Sequence, residues 1–237
     1  MTSTRIDLGR DDPVLRLFPA PMLPGEWNLP DHAARHWLVA LWGKALGPSN
    51  FFLDHEVPEL RWRPLPFYPG HMLVEAAVRD ARGRIGAANA VIGPEGCLLV
   101  DGNSAPWHDL NSRLGLRLED AETAAAYLEF FCNAIHGDEG RFRIVTQLDA
   151  SCFSSRAADT EPAVALLRPH AQPIHLERGE AGFTGEALVF YSGNPFVSRF
   201  TVLPEGLVEM EDDEPIELED PGILARERYT DTLRWPV

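Results

Sequence analysis

One apolar stripe constrains this chain more than any other feature. Ala124, Tyr127, Leu128, Phe131, Cys132 and Ile135 recur at i, i+3, i+4, i+7, i+8 and i+11, which places them on one face of an α-helix. Asp120 is a good N-cap, because its carboxylate can accept from the free N–H groups of the first turn. Glu122 puts negative charge where the helix dipole favours it, His136 falls in the last turn, and Gly137 suits a left-handed stop. Burying each larger stripe residue contributes roughly 1.5–3 kcal/mol before chain entropy is subtracted. A helix over 120–136 is therefore expected in the core. Phe130 lies off the stripe, so the apolar face is wide and partners on two sides are expected.

The surrounding stretch, 97–146, reads as strand (CLLVD), tight turn with a short helix over 104–114, the stripe helix, then strand (RFRIVT). Ser104 is expected to cap the short helix, with Pro106 in its first turn. A further helix over 31–46 is capped by Asp31 and ended by Gly47-Pro48, with Ala34, Trp37, Leu38, Leu41, Trp42 and Ala45 on its stripe. Strands are expected over 71–79, 84–92 and 97–101, joined by DARG and GPEG turns. Val74, Ala76 and Val78 alternate with Glu75, Ala77 and Arg79, the pattern of a strand with one buried face. The proline-punctuated run over 58–69 predicts an extended surface connector, and 149–159 a polar loop. ALLRP and PIHLERG predict short strands, and 183–210 an antiparallel meander of GEALVFY, FVSRFTV and GLVEM.

These signals predict an α+β fold of antiparallel β-meanders packed on a few amphipathic helices (31–46, 104–114, 120–136). A helix followed by strands fits a cone-like roll in the C-terminal half. Prolines at 13, 19, 21, 24 and 30 make residues 1–30 an extended arm packed on the body. A composition change near 114–119 divides an N-terminal lobe, 31–115, from a C-terminal lobe, 116–237, or marks a turn within one continuous domain.

Several function classes are disfavoured. A net charge of −15 opposes binding to nucleic acid or an anionic membrane surface. No apolar run has the length of a membrane span, and MTSTRIDLGRDDP has no signal-peptide h-region. Three widely spaced cysteines without a CxxC suit a reducing cytosol and oppose a zinc knuckle. No phosphate-binding GxxxxGK[ST] or GxGxxG is present, and no cofactor is expected.

Chemistry-bearing residues are sparse. His32 and His36 stand four apart on a helix, but HExxH is absent and no third metal ligand is apparent. Cys132 sits on the buried stripe as packing. Cys152, in the expected polar loop, is the one thiol to test for reactivity. Asp101, Ser104, His108 and Asp109 are close in sequence, but spacing alone does not establish a catalytic line, and GxSxG is absent. Asp101, Ser104, His108 and His136 are the residues expected to line a ligand site beside helix 120–136, should one exist. The run from Glu205 to Asp220 is acidic, with no Lys or Arg, and reads as a solvated loop or as a contact surface for a basic protein. The function expected is a non-enzymatic binding or protein-interaction module with a basic protein or a small molecule as partner. A pocketed ligand carrier or enzyme is the first alternative. A homo-oligomeric subunit using GLVEM or the Trp37/Trp42 helix is the second.

Overall fold

The computed structural model describes residues 4–6, 20–137 and 139–237. In chain order its elements are β1 (Thr4–Ile6), β2 (Trp27–Leu29), α1 (His32–Leu46), α2 (Phe51–Asp54), β3 (Glu56–Pro64), β4 (Met72–Arg79), β5 (Ile85–Gly93), β6 (Gly96–Leu99), α3 (Ala105–Leu114), α4 (Ala121–Ala134), β7 (His136–Gly137), β8 (Gly140–Arg141), β9 (Arg143–Ile144), α5 (Glu161–Leu167), β10 (His175–Arg178), β11 (Phe183–Tyr191), β12 (Asn194–Val202), β13 (Val208–Pro215), β14 (Glu227–Thr230) and β15 (Leu233–Pro236). The fold is α+β with antiparallel, meander-like sheets. It divides into two compact units, Met1–Asp101 with Arg228–Pro236, and Gly102–Glu227 with Val237. The 114–119 composition change lies inside the second unit, after α3. No helix among the described residues is long and apolar enough to cross a membrane.

In the first unit, Asp31 caps α1 by accepting from the Ala34 N–H at 2.8 Å. Leu38, Trp42 and Leu46 of α1 pack on Leu60, Val74, Ala76, Ala88 and Ile92 of the sheet. The buried stripe is narrower than expected, because Trp37 points outward and is 47% exposed. The sheet order is β1-β2-β3-β4-β5-β15-β14, and β6 also pairs with β5. Thus β5 shares one edge between β6 at Ala90–Gly93 and β15 at Ala87 and Ala88. The C-terminal residues supply β15 and β14, the strands that follow β5 in this sheet.

Two expectations are corrected in this sheet. The connector expected over 58–69 is mostly β3, an interior strand between β2 and β4. Pro58 is tolerated because the β3–β4 register shifts between Glu56 and Glu59 there, so no ladder bond is required of it. Phe67 and Tyr68, beyond the strand, are buried as covering rings. Likewise β4 is buried on both faces, not one.

The second face of β4 holds a charge network. Glu75 is fully buried, and its Oε1 accepts from Arg61 Nε at 2.9 Å and from a second Arg61 nitrogen. Its Oε2 accepts from Asn89 Nδ2 at 3.0 Å, Met22 N at 3.0 Å and Arg234 at 3.3 Å. The Arg61 guanidinium also stacks 4.5 Å from the Trp27 ring centre. Within the expected arm, Met22, Leu23 and Trp27 are buried and β2 pairs with β3. The arm's residues 1–3 and 7–19 lie outside the described residues.

In the second unit, Asp120 caps α4 by accepting from Thr123 N at 2.7 Å. Ala124, Tyr127, Leu128, Phe131 and Cys132 are buried on the expected stripe, and Phe130 is buried beside it. The helix ends earlier than 136. Ile135 leaves in an extended conformation, so His136 and Gly137 form β7 and not a last turn with a left-handed stop. On α3, Ser104 is already in the helical region and makes no side-chain cap. Asn103 Oδ1 accepts from Ala105 N at 3.0 Å in its place. Asn111 of α3 donates to the Tyr127 hydroxyl of α4 at 2.7 Å, and that hydroxyl donates to Gly206 O at 2.9 Å. One polar chain therefore ties both helices to the β12–β13 turn.

The second sheet runs β10-β11-β12-β13, with β9 also pairing β11. ALLRP belongs to α5, not to a strand. A smaller core gathers Val145, Cys152, Ala163, Leu167, Leu188, Phe190, Ile223 and Leu224. Cys152 is buried there despite its polar neighbours.

Candidate functional site: an acidic sheet edge

Two of the residues singled out from sequence, His108 and His136, make packing contacts. Asp101 is exposed where the first unit ends. Ser104 and His108 share a helix turn through a main-chain bond, His108 N to Ser104 O at 3.2 Å, and no hydrogen bond joins their side chains. His108 rests its ring on Phe131, with centroids 5.5 Å apart, a packing role. His136 covers Gly102. The backbone there has φ of +85°, and a Cβ would lie 2.6 Å from the imidazole, so glycine is required on both counts. His136 N also donates to Gly102 O at 3.4 Å. His32 and His36 form an exposed pair, Nε2 to Nε2 3.3 Å, and among the described residues no set of three His, Cys, Asp or Glu side chains joins at a metal-sized site.

Burial acts on all three thiols. Burial pushes Cys97 and Cys132 up to about 12. Burial also raises Cys152 above its ordinary value, more than Arg143 lowers it. A thiol held protonated is a poor nucleophile.

The acidic run, in contrast, is organised. Nine residues from Glu205 to Asp220 are acidic. The GLVEM strand runs further than expected: the acids after Met210 read as a solvated loop or contact surface, but Glu209 to Glu214 lie in β13, paired with β12 from Val202↔Val208 to Phe196↔Pro215. Every residue of β13 after Val208 is exposed, on both faces. Burial does not hold this strand in place. Its ladder to β12 does, together with the Leu203 N to Leu207 O and Ile216 N to Pro195 O bonds beyond its ends. Its other edge pairs with no strand among the described residues.

A bulge orders the carboxylates. The register shifts between Arg199 and Phe200, making Glu211 the extra residue. Glu211 is thereby aimed at the face of Thr201, whose hydroxyl donates to its carboxylate. Register puts Glu209, Asp212 and Glu214 on that same face, opposite Thr201, Arg199 and Val197. The face continues through Glu186 of β11 and Glu177 and His175 of β10 around an open depression of about 490 Å³. Arg199 is the cation within it. The hydrogen bond and charge of Glu186, with Glu211 and Asp212 behind, hold its guanidinium above the ordinary value. Glu186 accepts from Arg199 at 2.7 Å.

Compared with known protein families, curated proteins and solved structures, the chain matches none.

Proposed function

We propose that the protein is a non-enzymatic interaction module whose second unit receives an extended, Lys/Arg-rich segment of a partner protein along β13. The observation that carries this reading is a strand exposed on both faces, with an unpaired edge and carboxylates concentrated on one side. An added strand takes its affinity from main-chain hydrogen bonds and its specificity from alternate side chains. Basic side chains at every second position would meet Glu209, Asp212 and Glu214 on one face, while Met210, 49% exposed, offers an apolar contact on the other. The same charge opposes pairing of β13 with a second copy of itself.

The test is fluorescence anisotropy with a labelled peptide of alternating Lys and Thr. It binds the wild type, and binding weakens as salt rises because exposed charges are screened. A Glu209→Lys/Asp212→Lys/Glu214→Lys variant binds roughly tenfold or more weakly, as reversal of several rim charges requires. Equal binding to the variant contradicts the proposal.

A further inference from the structure

We infer that the second unit also holds a binding site for a small oxyanion, a carboxylate or phosphate group, in the cavity between β8, β9 and the β11–β12 turn. The cavity is small, about 30 Å³ and open on one side, enough for an oxyanion group rather than a whole metabolite, and it is lined by Arg141, Arg143 and Arg226 together with Glu139, Glu227 and Ser192. In a chain of net charge −15, the described lining residues set three guanidiniums against two carboxylates, a local reversal of sign.

Both carboxylates already have partners. Glu227 grips the buried Arg141 in a two-point pair, 2.9 Å to Nε and 3.1 Å to the terminal nitrogen. Glu139 accepts from the Ser192 hydroxyl. Among the described residues, the other two guanidiniums have no carboxylate partner. Arg143 spends three contacts on neutral atoms, Ser151 O and Oγ at 3.0 Å each and Cys152 Sγ at 3.5 Å. A guanidinium carries five donors, so part of its fork remains to be satisfied. Arg226 reaches only the Pro221 carbonyl, at 3.5 Å. Arg143 is half-buried, where a positive charge favours a counter-charge, and a planar fork suits a two-oxygen anion.

The site is built on rigid parts. Phe142 and Tyr191 stack nearly parallel beside it, with centroids 4.4 Å apart. Ser192 and Gly193 both have positive φ, the conformation of a tight hairpin turn. A Cβ on Gly193 would lie 2.5 Å from Arg226 Nε, so glycine here leaves the room that Arg226 occupies. This site is separate from the β13 reading and stands or falls without it.

Isothermal titration with inorganic phosphate and with succinate tests the inference, with chloride at matched ionic strength as control. At least one of the two gives a saturable one-to-one isotherm that chloride does not. Phosphate alone identifies a phosphate site, succinate alone a carboxylate site, and both a general oxyanion site. Arg143→Gln and Arg226→Gln each weaken binding roughly tenfold or more, the size of one charge-assisted hydrogen bond. Arg226 is exposed, so its variant keeps the fold even if that of Arg143 does not. Arg199→Gln, on the acidic face, leaves the affinity unchanged. An absence of saturable heat with both anions, or unchanged affinity in Arg226→Gln, overturns the inference.

Discussion

Glu75→Gln lowers the stability of the first unit by about 3–5 kcal/mol at neutral pH, the cost of leaving buried charges without their counter-ion. The substitution keeps the shape of the side chain but strands the Arg61 and Arg234 guanidiniums, both buried with it. Its size should depend on pH. Burial works to raise the pKa of Glu75, but Arg61, Arg234 and the Asn89 amide outweigh it and hold the carboxyl below its ordinary value of 4.5. A folded-state value below the unfolded one means the contribution is complete above the unfolded value and fades as pH falls through the folded value. The gap between wild type and variant is therefore widest near neutrality and closes in acid, where the wild-type carboxyl is itself protonated. A urea denaturation series from about pH 7 down to about pH 3 follows whether the gap narrows as acid is approached. A gap that widens in acid would mean that Glu75 is not held ionised.

Phe130→Ala removes about 3–5 kcal/mol from the second unit, in the range of large-to-small changes at sealed aromatic positions. Phe130 is fully buried and meets Trp107 edge to face, centroids 5.2 Å apart and planes at 84°. It adds to the contact with α3 from beside the main stripe, whose Tyr127 and Phe131 also meet α3. A double-mutant cycle with Trp107→Ala should return a coupling of about 0.5–1.5 kcal/mol, the worth of an aromatic pair beyond its area. A loss under about 1 kcal/mol for Phe130→Ala in denaturant unfolding would show that the packing is replaceable.

What the sequence made legible follows how local each cause is. The helices α1 and α4 could be read because their period and their caps, Asp31 and Asp120, lie within a few residues of what they control. Their far ends were less legible. The chain leaves α4 at Ile135 because the next residues join β7, and that pairing comes from β8. The interior place of β3 was hidden by its prolines, whose missing N–H is accommodated by a register shift that only the partner strand reveals. Glu75 looked like the wet side of a strand because its partners come from elsewhere: Arg61 is 14 positions away and Arg234 is 159. α5 spans seven residues, too few for a helical period to separate from a strand-like run.

The candidate sites divide in the same way. Proximity in sequence suggested Asp101, Ser104, His108 and His136, and the last two turn out to pack against Phe131 and Gly102. The acidic run was visible as composition, and its strand only in the opening GLVEM; the extension to Pro215 was not. A strand wet on both faces lacks the apolar alternation by which strands are recognised. The arginine cavity joins residues 86 positions apart through the Arg141–Glu227 pair, and no local pattern announces it.

Amide hydrogen exchange along β13 tests the central claim most directly, because it reports on the edge itself and not on affinity alone. With the alternating Lys peptide bound, the β13 amides that do not bond to β12 should slow in exchange, while α1 and the first sheet remain unchanged. Slowing confined to other segments, or binding with no change along Glu209 to Glu214, would contradict an added strand at this edge.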